Sequence, residues 1–289
     1  MGAFLALGLF QGAVYGLLAV GIVLVYKAKR VFNFAQGEFG GVAAFTAFAI
    51  VVGAGLPYWV GVVGGLAAAV AMGLMVERVI VRPLESSSRT IMLVALVGVA
   101  LFTIAIIVLI GQPIPRVMPP LVQGGGVDIL GAGILPQQLI LLAVLAVLAA
   151  AMAWFFKTDL GLAVLASSQD TRAAQVVGIS PVAISRLVWG MAALIGGIAG
   201  LLYAPVGIFT PGFMTLTMLV PAFAAAVLGG MTSLPGAFVG GLAIGIVQNL
   251  GIYYLGQQLK VPGAAELGVF ALLMLVLLIR PQGLLGKEA

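Results

Sequence analysis

Residues 4–26 read FLALGLFQGAVYGLLAVGIVLVY, 23 positions without one charged side chain. At about 1.5 Å per residue such a helix can cross a hydrocarbon core of about 30 Å, so the stretch reads as a membrane-spanning helix. A secretory signal peptide would place a basic segment ahead of a shorter apolar one and end in a cleavage site. No Lys or Arg precedes Lys27, so the run is expected to stay in the mature protein.

The remaining sequence agrees with its beginning. Of 289 residues, 63% are hydrophobic and 7% charged, with a mean hydropathy of +1.28, whereas a soluble domain carries about 25% charged residues. Most of the surface must then face lipid rather than water. Histidine and cysteine are both absent. That removes disulfides, the usual zinc, copper and iron–sulfur ligands, and the Ser/His/Asp and Cys/His catalytic arrangements, so no catalytic, cofactor-binding or metal residue is assigned.

Eight further apolar stretches follow, at 36–53, 58–76, 91–111, 137–156, 187–207, 216–230, 237–255 and 267–279. The fold class is therefore all-α: a polytopic helix bundle of about eight or nine spans forming one transmembrane domain over 1–289. With strict alternation, eleven of the thirteen basic residues fall on one side: Lys27, Lys29, Arg30, Arg78, Arg82, Arg89, Lys157, Arg172, Arg186, Arg280 and Lys287. Only Arg116 and Lys260 fall on the other. Basic residues accumulate in cytoplasmic loops, so the amino terminus is expected outside and the carboxyl terminus in the cytoplasm. The net charge of +5 is read as orientation, not as nucleic-acid binding.

The segments at 36–53 and 216–230 are short and interrupted by Gly or Pro, and each reads either as a broken or re-entrant helix lining a transport pathway or as a tilted ordinary span. Glycines recur four apart at Gly8, Gly12 and Gly16, and as the pairs Gly61/Gly65, Gly196/Gly200, Gly236/Gly240 and Gly241/Gly245. That spacing predicts closely packed helices. No internal repeat is legible. Two hydrophilic stretches remain: 112–136, with five prolines, read as an external loop, and 157–186, read as a cytoplasmic one.

Within the cytoplasmic loop, Ser167-Ser168-Gln169-Asp170 has the capping-box form and predicts a helix of about ten residues through Val177. Gly178 is suited to a left-handed helix end and Ser180-Pro181 to a stop. Ala173, Ala174 and Val177 are expected to present a small-residue face to a soluble partner, the alternative being a solvated connector. Asn33, Gln36 and Glu38, at a membrane boundary, and Gln248 and Asn249, within a span, are the candidates for a translocation path or gate, or else for interhelical hydrogen bonds. A carboxylate there must face protein or water, and Glu38 is expected to pair with Asn33 or a basic residue.

Arg172-Ala173-Ala174 followed three residues later by Gly178 resembles the EAA loop of ABC importer permeases, with Arg in place of the usual Glu. Asp170, Ala173, Ala174, Gly178 and Ile179 resemble the same loop in the branched-chain amino acid permeases of the LivH type. Three other blocks point the same way: Asn33-Phe34-Ala35-Gln36-Gly37-Glu38, Glu77-Arg78 with Arg82-Pro83-Leu84, and Leu228-Gly229-Gly230 leading to Ser233-Leu234-Pro235-Gly236-Ala237. Gln36 departs from the His that many relatives carry there.

The resemblance implies the permease subunit of an ABC importer for branched-chain or other hydrophobic amino acids. It also implies a second related permease, two cytoplasmic ATPase subunits that bind ATP and magnesium, and an extracytoplasmic substrate-binding protein. Ser167, Asp170, Arg172, Ala173, Ala174, Val177, Gly178 and Ile179 would couple this chain to the ATPases. No Walker A motif occurs; the single Gly-Lys pair, Gly286-Lys287, follows no glycine-rich loop. The alternatives are a permease for urea or short amides, or an ion-coupled secondary transporter, which would be expected to carry more intramembrane ionisable groups than Glu38.

Overall fold

In a computed structural model, residues 1–122, 124–129 and 132–286 are described; Lys287 lies outside them. The described residues form eleven α-helices: α1 (Gly2–Lys29), α2 (Gln36–Phe48), α3 (Tyr58–Val76), α4 (Arg89–Gly111), α5 (Pro136–Phe155), α6 (Asp159–Gln169), α7 (Thr171–Val176), α8 (Pro181–Tyr203), α9 (Leu219–Gly229), α10 (Leu234–Gly251) and α11 (Ala264–Ile279). Short π-helical segments extend four of them: Ala49–Gly53 after α2, Glu77–Val81 after α3, Met214–Met218 before α9 and Ile252–Gln258 after α10. Two three-residue strands, Val127–Ile129 and Ala132–Ile134, form a small antiparallel ribbon in the 112–136 stretch. Seven helices are long and apolar enough to cross a membrane, and Met214–Gly229 and Ala264–Ile279 are shorter apolar helices. These nine correspond to the nine stretches read from the sequence, with α8 starting six residues earlier because Ser180 caps it and Pro181 occupies its first turn.

The core is a central set of α1, α2, α8, α9 and α10, and α1 runs along α10 for most of its length. Glycine makes this possible. A Cβ added at Gly12 would lie 2.7 Å from the Gly241 carbonyl oxygen, and one at Gly8 would lie 2.8 Å from that of Gly245. The two backbones touch where each helix presents glycines four apart, so the contact is dispersion between main chains rather than hydrophobic burial.

The helices also repeat. α1 to α4 recur as α8 to α11 in the same order and opposite sense: α2 packs on α3 and α8 as α9 packs on α10 and α1, while α1 lies against α10 as α8 lies against α3. The repeat lies in helix order and contact, and the sequence, in which none is legible, does not show it.

The repeat accounts for the two short spans. Gln36, at the start of α2, reaches the side of α1 at Gly21, eight residues before α1 ends, or about 12 Å along the helix. Residues 30–35 therefore bring the chain to depth in irregular form before α2 begins. Residues 204–213 do the same from the opposite end, with Phe209 and Phe213 buried. Both short spans are thus broken rather than tilted. Irregular backbone is tolerated at depth because it is enclosed by protein that supplies its hydrogen bonds.

Candidate translocation core and coupling loop

The two irregular stretches meet in the middle of the bundle. A Cβ on Gly37 would lie 2.9 Å from Thr215 Cα, which places the start of α2 against the π-helical start of α9. Asn33 and Gln36, both fully buried, secure the bend. Asn33 Oδ1 accepts from the Ala35 amide (3.0 Å), and its Nδ2 donates to Gln36 Oε1 (3.2 Å). Gln36 Nε2 donates to the Ala192 carbonyl of α8 at 2.9 Å. These bonds replace those that a helix would have made among its own backbone groups.

Glu38 is fully buried in the first turn of α2, and the expected partners are not there. Asn33 has committed its amide to Gln36 and Ala35, and no described basic side chain forms an ion pair with Glu38. The polar side chain beside it is Thr215. Neither its two carboxyl oxygens nor the Thr215 hydroxyl reaches a hydrogen-bond partner, and the indole nitrogen of Trp189 on α8 is likewise unpaired. Thr215 and Trp189 were missed from the sequence. A Thr in an apolar run carries no signal until the fold brings it to a buried acid.

Gln248 and Asn249 bind α10 to α1. Tyr15 donates its hydroxyl to Gln248 Oε1 at 2.7 Å, and Asn249 Nδ2 donates to Gln11 Oε1 and to the Gly245 carbonyl, both at 3.0 Å. Their side chains are committed to the interhelical bonds that formed one of the two readings above.

The loop at 157–186 differs from expectation at its start. Ser167 is not a helix cap; it is a buried residue inside α6, which begins at Asp159 under the Thr158 cap. The cap of α7 is Asp170, whose Oδ1 accepts from the amides of Arg172 (2.8 Å) and Ala173 (3.0 Å). A carboxylate two and three residues from the free amides outcompetes a serine already inside the preceding helix, so α7 is six residues long rather than about ten. Ala174 turns inward and is buried, while Ala173 and Arg172 are exposed. The expected face of Ala173, Ala174 and Val177 is therefore split. The exposed apolar knob is Val176 and Val177, at 87% and 72% exposure. Val176 was overlooked, although two adjacent valines in a hydrophilic loop were a readable signal. Gly178 has φ +86, the left-handed conformation expected of it, and Ile179 is half-buried, its amide donating to the Ala174 carbonyl at 2.9 Å.

The basic loops gather at one end. Lys29 pairs with Glu85 at 2.7 Å, Arg82 pairs with buried Glu77 at 2.8 Å, and Lys27, Arg30, Phe156, Ser233 and Leu285 line one cleft of about 500 Å³. At the opposite end, Arg116 and Phe209 exchange backbone hydrogen bonds of 2.9 and 3.0 Å. They tie the 112–136 stretch to the second irregular segment.

A polytopic bundle of repeated helices, with two short spans entered through buried irregular stretches and a short helix held out at the basic end, has the build of the membrane part of a transporter. The chain belongs to the family described as "Branched-chain amino acid transport system / permease component", which matches residues 4–278. It is 32% identical over 296 residues to the high-affinity branched-chain amino acid transport system permease protein LivH of Escherichia coli K12, and equally to BraD of Pseudomonas aeruginosa PAO1. Each alignment covers 97% of this chain and 94% of the relative. A probable LivH of Methanocaldococcus jannaschii is 26% identical over 94% of the chain and 88% of its own length. Among solved structures, PsaBC from Streptococcus pneumoniae in complex with Fab shares the fold, with a TM-score of 0.51 at 17% identity over 96% of this chain and 92% of that one.

Proposed function

We propose that this chain is the permease subunit of an ATP-driven importer for branched-chain or other hydrophobic amino acids, set in a bacterial inner membrane with its amino terminus outside and its carboxyl terminus in the cytoplasm. A second related permease completes the pathway, two cytoplasmic ATPase subunits bind ATP and magnesium, and an extracytoplasmic binding protein delivers the substrate. The observation that carries this reading is the 32% identity to LivH sustained over 97% of the chain. The geometry of the loop supports it: α7 projects two valines from the basic end, and side chains of that size fit a groove on a soluble subunit.

Mechanically, α7 is joined to the bundle by α6, whose Val164 is buried, and by Ile179 leading into α8. A push from an ATPase would reach α8, which holds the start of α2 through Gln36. The central junction of α2 and α9 is then the element whose two arrangements would open the path to either side. Reconstitution in proteoliposomes with the partner subunits tests the reading: L-leucine uptake should require ATP and the binding protein. Uptake driven by an imposed ion gradient without ATPases, or uptake of urea in place of leucine, would overturn it.

A further inference from the structure

Arg116 lies at the end opposite the basic loops, and it lines a cleft of about 560 Å³ between the far ends of α2 and α4. Its guanidinium lies 4.8 Å over the ring of Phe48 and 5.6 Å over that of Phe45, and it donates to the Gly111 carbonyl that ends α4. The backbone exchange with Phe209 holds residue 116 in place. Among the described side chains no carboxylate pairs with it, since the ion pairs are Lys29–Glu85 and Arg82–Glu77, and its Nε is buried without a partner.

The surroundings of this cation are specific. The walls are aliphatic at Val42, Ile106, Ile107 and Ile110, and they continue along α4 into a second apolar cleft of about 430 Å³ that shares Val42, Ile106 and Ile107. Two helices end at the rim, α4 at Gly111 and the π-helical segment at Gly53. Terminal carbonyls lack intrahelical donors and carry the negative end of the helix dipole. A guanidinium with no described carboxylate partner, a free carbonyl end at Gly53 and a branched-aliphatic wall match the three parts of one small molecule.

Resting on the transport reading above, we propose that this cleft is the outer receiving site for a zwitterion with an aliphatic side chain. Arg116 takes the carboxylate, for which its planar fork is suited. The carbonyl end of the segment after α2, at Gly53, faces the ammonium, and the side chain lies on Ile106, Ile107 and Ile110.

The cysteine-free chain allows a direct test in the reconstituted complex. Ile110→Cys should react with an impermeant maleimide from outside, and L-leucine should slow that reaction while leucinamide, which lacks the carboxylate, should not. Val117→Cys, outside the cleft, should react equally with and without leucine. Arg116→Gln should abolish the protection and raise the KM of ATP-driven leucine uptake about tenfold with kcat within about twofold, as expected for loss of a charge-assisted contact. Arg116→Lys, which keeps the charge without the fork, should fall between.

Equal protection by leucinamide, or full protection persisting in Arg116→Gln, would overturn the site. So would labelling blocked on exchanging phosphatidylcholine for phosphatidylglycerol with leucine adding nothing, since the cleft would then hold lipid. Should Arg116→Gln fail to insert, the leucine and leucinamide comparison on Ile110→Cys decides alone. Normal leucine uptake with Ile110→Cys unprotected would overturn only this site, whereas no ATP-driven leucine uptake by the intact complex would overturn the transport reading and the site with it.

Discussion

α1 and α4 are both long apolar spans, and the more apolar of the two is the one less enclosed by protein. In the most apolar 18-residue stretch of α1, 89% of residues are buried inside the bundle; in that of α4, 17% are. In water the reverse would hold, because apolar surface would be driven inward. In lipid the tails are as apolar as leucine, so hydrophobicity no longer selects the inside, and close packing does. α1 brings Gly8, Gly12 and Gly16 to a partner with matching glycines, whereas a Cβ on Gly98 of α4 would meet nothing within 4 Å.

The sharpest way to break this comparison is to fill the seam. Gly12→Leu should cost about 3 kcal/mol or more, because the α10 backbone cannot give way. It would show as a lost or strongly lowered thermal midpoint and an aggregated size-exclusion profile in detergent. Unchanged stability would mean that α1 and α10 do not touch as described.

A smaller effect is expected where enclosure is partial. Arg82→Ala would strand buried Glu77 and should destabilise by about 2 kcal/mol, less than the roughly 3 to 5 for a fully buried pair because the Arg82 side chain is 30% exposed. Glu77→Gln with Arg82→Ala should recover part of that loss in the same melt.

At the periphery the cost should move from folding to function. Gly178→Val puts a Cβ in the left-handed region at about 1 to 2 kcal/mol of local strain, so α7 should shift while the bundle melts normally. ATP-driven uptake and co-purification of the ATPases should both fall. The pair Val176→Asp and Val177→Asp should do the same without strain. Normal transport in both would make α6–α7 a connector. The smallest effect belongs to Gly98→Leu in α4, expected within about 0.5 kcal/mol of wild type, and a large loss there would show that α4 is enclosed by something these helices do not include.

Much of the site was readable, though not its wiring. The polarity of Asn33, Gln36 and Glu38 marked a special place because polar side chains in a span need a reason. What could not be read was that Asn33 and Gln36 would satisfy each other and the Ala192 carbonyl, leaving Glu38 beside Thr215. Thr215, which comes to lie beside Glu38, is more than 150 positions away in the chain and looks ordinary in its own segment. The loop failed differently. The pattern Ser167 to Asp170 named a cap correctly and chose the wrong residue, because α6 had already claimed the serine.

The sequence by itself marked the place of nine apolar stretches, about eight or nine of them read as spans, the end at which basic charge collects, and the existence of glycine-faced helices, since each depends on local composition and on a period of 3.6 or 4. Tertiary structure alone decided that the two short spans are entered through buried irregular stretches, that α1 to α4 recur inverted as α8 to α11, and that Arg116 stands over an apolar cleft with no described carboxylate paired to it. These are relations between distant segments. In a membrane such relations are fixed by which backbones can approach closely, and shape of that kind is not written in the hydropathy of either segment.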